Sequence, residues 1–206
     1  MKNIKTKTIL LFVCVSVFAV CAEASLFNDP AAMAGLTGKI SINITTWSVL
    51  KADVEYAVYS PGDYQGDDQT GGSEYIYAYQ IFNSAQSNVA VDFFSVGILS
   101  GCSIDFIYTD TSYGTPDGIE PLEIEFPQSA GFVFIVDALN PGQWSDVLIF
   151  SSTRLPIMGF GTVSGGGLSG MGPLPTPMPS VPEPATILFI APAILILRIK
   201  KMTRVK

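Results

Sequence analysis

Between residues 25 and 160 the hydrophobic residues recur at every second position, a spacing that a strand buries on one face and that no helix can bury. Ile40, Ile42 and Ile44 alternate with Ser41, Asn43 and Thr45; Val54, Tyr56 and Val58 alternate across Asp53 to Tyr59; Tyr75, Tyr77, Tyr79 and Ile81 share one face of EYIYAYQIF. Further apolar runs start at Val89, Ile104, Leu122, Gly131 and Asp146, separated by turn-rich pieces such as SPGDYQGDDQTGG, NSAQSN, DTSYGTPDG and NPGQ. About eight short strands with turns at such intervals predict an all-β fold, an antiparallel β-sandwich of immunoglobulin-like or jelly-roll style. A short turn at Asp29 to Leu36 is the one stretch with a helical pattern.

The charges are segregated along the 206 residues. Three of the 11 basic residues (Lys2, Lys5, Lys7) open the chain and five (Arg198, Lys200, Lys201, Arg204, Lys206) close it, whereas residues 25–182 hold 16 acidic against three basic residues, a net of −13. A body of that sign repels phosphates and has few counterions to release, so nucleic acid is not among the expected partners. The chain has no His, which excludes Ser-His-Asp and Cys-His catalysis and His-ligated zinc.

At the N-terminus the basic start leads into an uncharged run, ILLFVCVSVFAV, and then into Ala22-Glu23-Ala24-Ser25. These are the three parts of a secretory signal peptide, with cleavage by signal peptidase expected between Ala24 and Ser25, and after Ala22 as the alternative. At the other end ATILFIAPAILIL is followed by the basic cluster Arg198, Lys200, Lys201, Arg204 and Lys206. Thirteen apolar residues rise roughly 20 Å as a helix against about 30 Å of hydrocarbon, and flanking Arg and Lys side chains extend the reach by snorkelling. The expectation is a single transmembrane helix over 185–199, with the basic cluster stopping transfer and holding the C-terminus in the cytoplasm.

Directly before that segment stands Val181-Pro182-Glu183-Pro184-Ala185-Thr186. The succession of this motif, a short apolar segment and a terminal basic cluster resembles the PEP-CTERM protein-sorting signal of Gram-negative and related bacteria. The resemblance covers Val181 to Lys206 together with the signal peptide. It implies recognition of Pro182, Glu183 and Pro184 by an exosortase-type transpeptidase of the membrane. It further implies a protein exported and anchored in the inner membrane with its body outside the cytoplasm, then moved to the cell surface or extracellular matrix. The same tail occurs on some ice-binding proteins, where it labels the anchor and not the ice activity. Two prolines flanking Glu183 hold the backbone extended and deny it a helix, which keeps the peptide bonds open to an enzyme.

Between body and motif, Gly- and Pro-rich residues 161–180 read as a linker, flexible in its Gly-Ser half and semi-rigid in its Pro half. The expected organisation is therefore a signal peptide (1–24), a β-sandwich ectodomain (25–160), a linker (161–180) and a sorting signal (181–206).

Three constellations in the body hold side chains suited to chemistry. Asp63, Gln65, Asp67 and Glu74 fall at positions 1, 3, 5 and 12 of a calcium loop, but Asp68 stands where that loop needs Gly. A solvated acidic hairpin loop without metal is the expectation, and weakly bound extracellular calcium the alternative. Asp105, Asp110, Glu123, Glu125 and Asp137 offer carboxylates for glycoside hydrolysis, yet Glu123 and Glu125 alternate with Leu122, Ile124 and Phe126 as on a solvated outer face. Tyr75, Tyr77 and Tyr79, with Tyr56, Tyr59 and Trp47, form an aromatic row that suits either core packing or stacking on an extracellular polysaccharide. The reading is a non-catalytic surface protein with no cofactor; a carbohydrate- or calcium-binding module is the alternative.

Overall fold

The computed structural model describes residues 25–99, 102–126 and 129–179. The expected signal peptide and the whole expected sorting signal lie outside these residues. Among the described residues no helix is long and apolar enough to cross a membrane, and a 3₁₀ turn at Leu26–Asn28 is the one helical element.

The strands are β1 (Thr37–Thr45), β2 (Val49–Tyr59), β3 (Tyr75–Asn83), β4 (Phe93–Gly97), β5 (Ile107–Asp110), β6 (Leu122–Phe126), β7 (Ser129–Val133), β8 (Val147–Ser152), β9 (Pro156–Gly165) and β10 (Leu168–Pro177). They form two five-stranded sheets, ordered β1-β2-β3-β8-β5 and β10-β9-β4-β7-β6, and every pairing is antiparallel. The all-β expectation holds. One core is shared by the facing sides of both sheets: Val54, Tyr77, Tyr79 and Phe150 from the first meet Phe94, Phe132, Val163 and Leu174 from the second, all fully buried. Tyr77 stacks on Phe150 at 4.8 Å between ring centres, and Tyr79 lies 5.7 Å from Phe94 across the sheets.

The first sheet is buried on its outer face as well. Leu26 and the loop that joins β2 to β3 cover it, making a second apolar cluster of Leu26, Ala57, Tyr59, Tyr64, Ile76, Ala78, Tyr108, Val147 and Ile149. All six residues of β8, VLIFSS, are accordingly buried, which is why that strand reads as an apolar run instead of an alternation.

The linker expectation is overturned. Residues 161–177 complete β9 and form β10, a hairpin at the edge of the second sheet, so the folded body extends past residue 160 through Pro177. Gly166 and Gly167 both adopt positive φ (57° and 77°), the geometry of a two-residue type I′ turn. Glycines on the inner face of β10 make room for β1: a Cβ on Gly170 would stand 2.4 Å from Ile42 Cγ2, and one on Gly172 2.5 Å from Ile40 Cδ1. Because Pro cannot donate, the β10 amides bonding β9 must come from the positions between Pro173, Pro175 and Pro177. Pro175 and Pro177 are buried, and their carbonyls accept the Tyr79 hydroxyl and the Cys102 thiol, so this length of the edge is covered.

Candidate functional site

The residues singled out from the sequence are not gathered by the fold into one site. Asp63, Asp67 and Glu74 belong to the β2–β3 loop, but among the described residues no group of three or more Asp, Glu, Cys or His side chains is placed to hold a metal ion. Their neighbours explain it. The Glu74 carboxylate accepts the Ser151 hydroxyl of β8 at 2.7 Å. Asp68, at the position a calcium loop reserves for Gly, accepts the Thr70 amide and hydroxyl at 2.8 and 2.6 Å and the Gly72 amide at 2.9 Å. Its carboxylate thereby builds the turn from inside, an Asx arrangement that uses up its acceptors locally.

The loop is fastened by contacts that the sequence reading missed. Asp110, at the end of β5, takes the Tyr64 hydroxyl and the Asp67 amide on Oδ2, both at 2.7 Å. On Oδ1 it takes the Ser112 amide at 2.7 Å and the Ser112 hydroxyl at 2.6 Å. Burial raises the Asp110 pKa, but the hydrogen bonds from Ser112, Tyr64 and Asp67 outweigh it and hold the carboxyl below its ordinary value. A second latch ties the N-terminal segment: Asp29 accepts the Tyr59 hydroxyl at 2.7 Å and also that of Tyr113. Tyr59, Tyr64 and Tyr113 contact one another with ring centres 4.9 to 6.3 Å apart. Burial, and then the hydrogen bond to Asp29, push Tyr113 up to about 12, and burial with the same kinds of partner takes Tyr59 and Tyr64 higher. These phenols stay protonated and donate; they are clasps and not bases.

The aromatic row is core. Tyr77 and Tyr79 are fully buried, and their hydroxyls donate inward to the carbonyls of Arg154 at 2.9 Å and Pro175 at 2.6 Å. They present no face to a sugar ring. Among the described residues the most exposed large aromatic side chains are Trp47, in the β1–β2 turn, and Phe27, Phe106 and Phe160.

Among the carboxylates considered for hydrolysis, Glu123 and Asp137 line a common open groove of about 410 Å³ with Glu120, Leu122, Val133 and Val136. Asp110 is occupied as above, and Asp105 lies elsewhere, before β5. The expected orientation of β6 is reversed: Glu123 pairs with Phe132, whose side chain is in the core, so Glu123 lies on the inner face at the sandwich's open side and accepts the Thr109 hydroxyl of β5 at 3.3 Å. Leu122 pairs with Val133 and points to the outside, half exposed. Cys102 is the one cysteine among the described residues; its thiol donates to the Pro177 carbonyl at 3.2 Å, and burial raises its pKa.

Of the sorting residues only Ser25 is described. Its hydroxyl donates to Glu55 Oε2 at 2.6 Å, and the next residue, Leu26, is fully buried. Pro182, Glu183, Pro184, Ala24 and the basic cluster from Arg198 to Lys206 lie outside the described residues.

Compared with protein-family models, with curated proteins and with solved structures, the chain matches none.

Proposed function

We propose that this is an exported, non-catalytic bacterial cell-surface or extracellular-matrix protein. In this reading its two-sheet body is held outside the cytoplasm by a C-terminal membrane segment and sorted through Pro182-Glu183-Pro184 by an exosortase-type transpeptidase. The observation that supports the reading is that every described strand, from β1 at Thr37 to β10 at Pro177, lies between the two expected signals, so a cut at either would remove none of them. The nested pairs β3–β8 and β4–β7 have the connectivity of a rolled hairpin, which favours the jelly-roll style over the immunoglobulin one.

The sorting reading is tested by tagging the body and replacing Pro182, Glu183 and Pro184 with Ala. The expected result is protein retained in the inner membrane at unprocessed mass; processing and location identical to the parent would overturn it.

The N-terminal half of the reading makes a separate prediction. Cleavage after Ala24 creates an α-ammonium on the residue whose hydroxyl already touches Glu55, a carboxylate only 9% exposed. Mass spectrometry of the exported protein should find Ser25 first. Glu55→Gln should then lower stability by about 1 kcal/mol, through loss of a charge-assisted contact. An unchanged thermal midpoint would remove the pairing.

A further inference from the structure

We propose that the outer face of the second sheet is a docking surface for the interfacial region of the lipid bilayer in which the chain is anchored. This rests on the anchoring reading above and adds to it a second, peripheral contact made by the folded body. The β9–β10 part of the face is defined by register: Met158 and Phe160 of β9 share it with Met171 of β10, while Val163, Phe94 and Phe132 take the opposite side and fill the core. Phe160 is 62% and Met171 68% exposed. Residues 156–177 contain no charged side chain at all, in a body that is otherwise strongly acidic.

Two observations select the bilayer as the occupant. The first is the tether. Once β10 has absorbed the expected linker, only seven residues, 178–184, separate the sheet from the apolar segment that begins at Ala185. Fully extended they reach about 25 Å, so the body cannot leave the neighbourhood of the membrane surface. The described chain ends at the Met158 end of this hairpin, where the Met178 amide donates to the Leu155 carbonyl at 2.7 Å, one pair beyond Pro156 and Pro177, and both side chains are exposed. The second is charge. Arg154, one of three basic residues in the body, is exposed next to Leu155 at that same end, where an anionic headgroup would meet it. A flexible, unbranched Met and a Phe ring suit the headgroup–acyl boundary, and an uncharged face enters it without desolvating an ion.

The test uses the full mature chain reconstituted in vesicles of phosphatidylcholine and phosphatidylglycerol, with hydroxyl-radical labelling read by mass spectrometry. Phe27, on the opposite side of the sandwich and 44% exposed, is the internal control for Phe160. Without docking Phe160 labels at least as strongly as Phe27; with docking it labels about fivefold less, and the protection persists when the protein is diluted in excess lipid. The double variant Met158→Ser with Phe160→Ser should still float with the vesicles while Met171 becomes labelled. Vesicle flotation with Phe160 labelled like Phe27 overturns the docking and leaves the anchor standing. Failure to float overturns both. Protection that disappears on dilution in lipid assigns the face to a second copy of this chain and overturns the lipid assignment.

Discussion

Gly165→Ala should destabilise the protein by about 3 kcal/mol or more, or prevent folding, although it adds a single methyl group within what reads as a flexible stretch. A Cβ at this position would stand 2.0 Å from the Ala90 carbonyl oxygen and 3.0 Å from the Val91 Cα. Both are backbone atoms. No rotamer change relieves the clash, so the β9 strand or the segment leading into β4 must move. Phe93 pairs with Ser164 immediately beside the contact, and displacement there opens the core around Phe94 and Val163. The expected fall in thermal midpoint is roughly 10 °C. A flexible linker predicts the opposite sign, since alanine restricts the unfolded chain more than glycine does and gains a few tenths of a kcal/mol or more. Ser169→Ala, on the exposed side of the same hairpin, controls for composition and should be neutral. A midpoint unchanged in both variants would mean that residues 161–177 are not part of the fold.

That hairpin shows where the sequence was legible and where it was not. Alternation at Ile40, Ile42 and Ile44, or across EYIYAYQIF, carries β1 and β3 openly, because bulky residues mark the buried face. In β9 and β10 glycines take much of the buried face, between Val163, Leu168 and Leu174. Gly161, Gly170 and Gly172 accept Leu174, Ile42 and Ile40 in the space that a Cβ would take. Glycine and proline weigh against a strand in any propensity argument, so the few bulky residues between them, such as Leu174, do not show as an alternating face. The paired Gly166-Gly167 was the available signal: two glycines between runs of period two form a hairpin turn as readily as a linker. The orientation of β6 failed for another reason. Alternation gives two faces without saying which is inner, and at the open side of a sandwich the inner face can hold a carboxylate such as Glu123.

The proposed sorting signal is a linear pattern: a motif, an apolar run and a charge cluster are read without any fold. The contacts that fasten the loops were not. Tyr64 and Asp110 are 46 positions apart and Tyr59 and Asp29 are 30 apart, and only the topology brings them together. A local hint existed at Asp110-Thr111-Ser112, where an Asp followed two residues later by Ser suits an Asx turn.

Asp110→Ala should cost about 3 kcal/mol at neutral pH, because it strips four hydrogen bonds at once and leaves the Tyr64 hydroxyl and the Asp67 and Ser112 amides without their acceptor. The loop over the outer face of the first sheet should loosen with it. Tyr64 packs against Tyr59 and Tyr113 and closes the second apolar cluster, so faster amide exchange between residues 60 and 74 is the accompanying sign. The pH dependence has a definite direction. A carboxyl held below its ordinary value in the folded state contributes stability that is present above about pH 4 and is lost as the pH falls through the folded value. The difference between parent and variant should therefore be greatest at neutral pH and shrink on acidification, as protonation weakens the same contacts in the parent. Asp146 works in the other sense: burial, with Glu120 next, raises its pKa, so its neutral form is favoured and its contribution fades as the pH rises. Asp110→Asn separates the charge from the geometry. An amide can still accept on one oxygen but meets donors at both positions, so it should recover part of the loss at neutral pH. Denaturant unfolding at pH 7 and pH 3 measures both effects. A gap of equal size at the two values would show that the charge of Asp110 does not hold the loop.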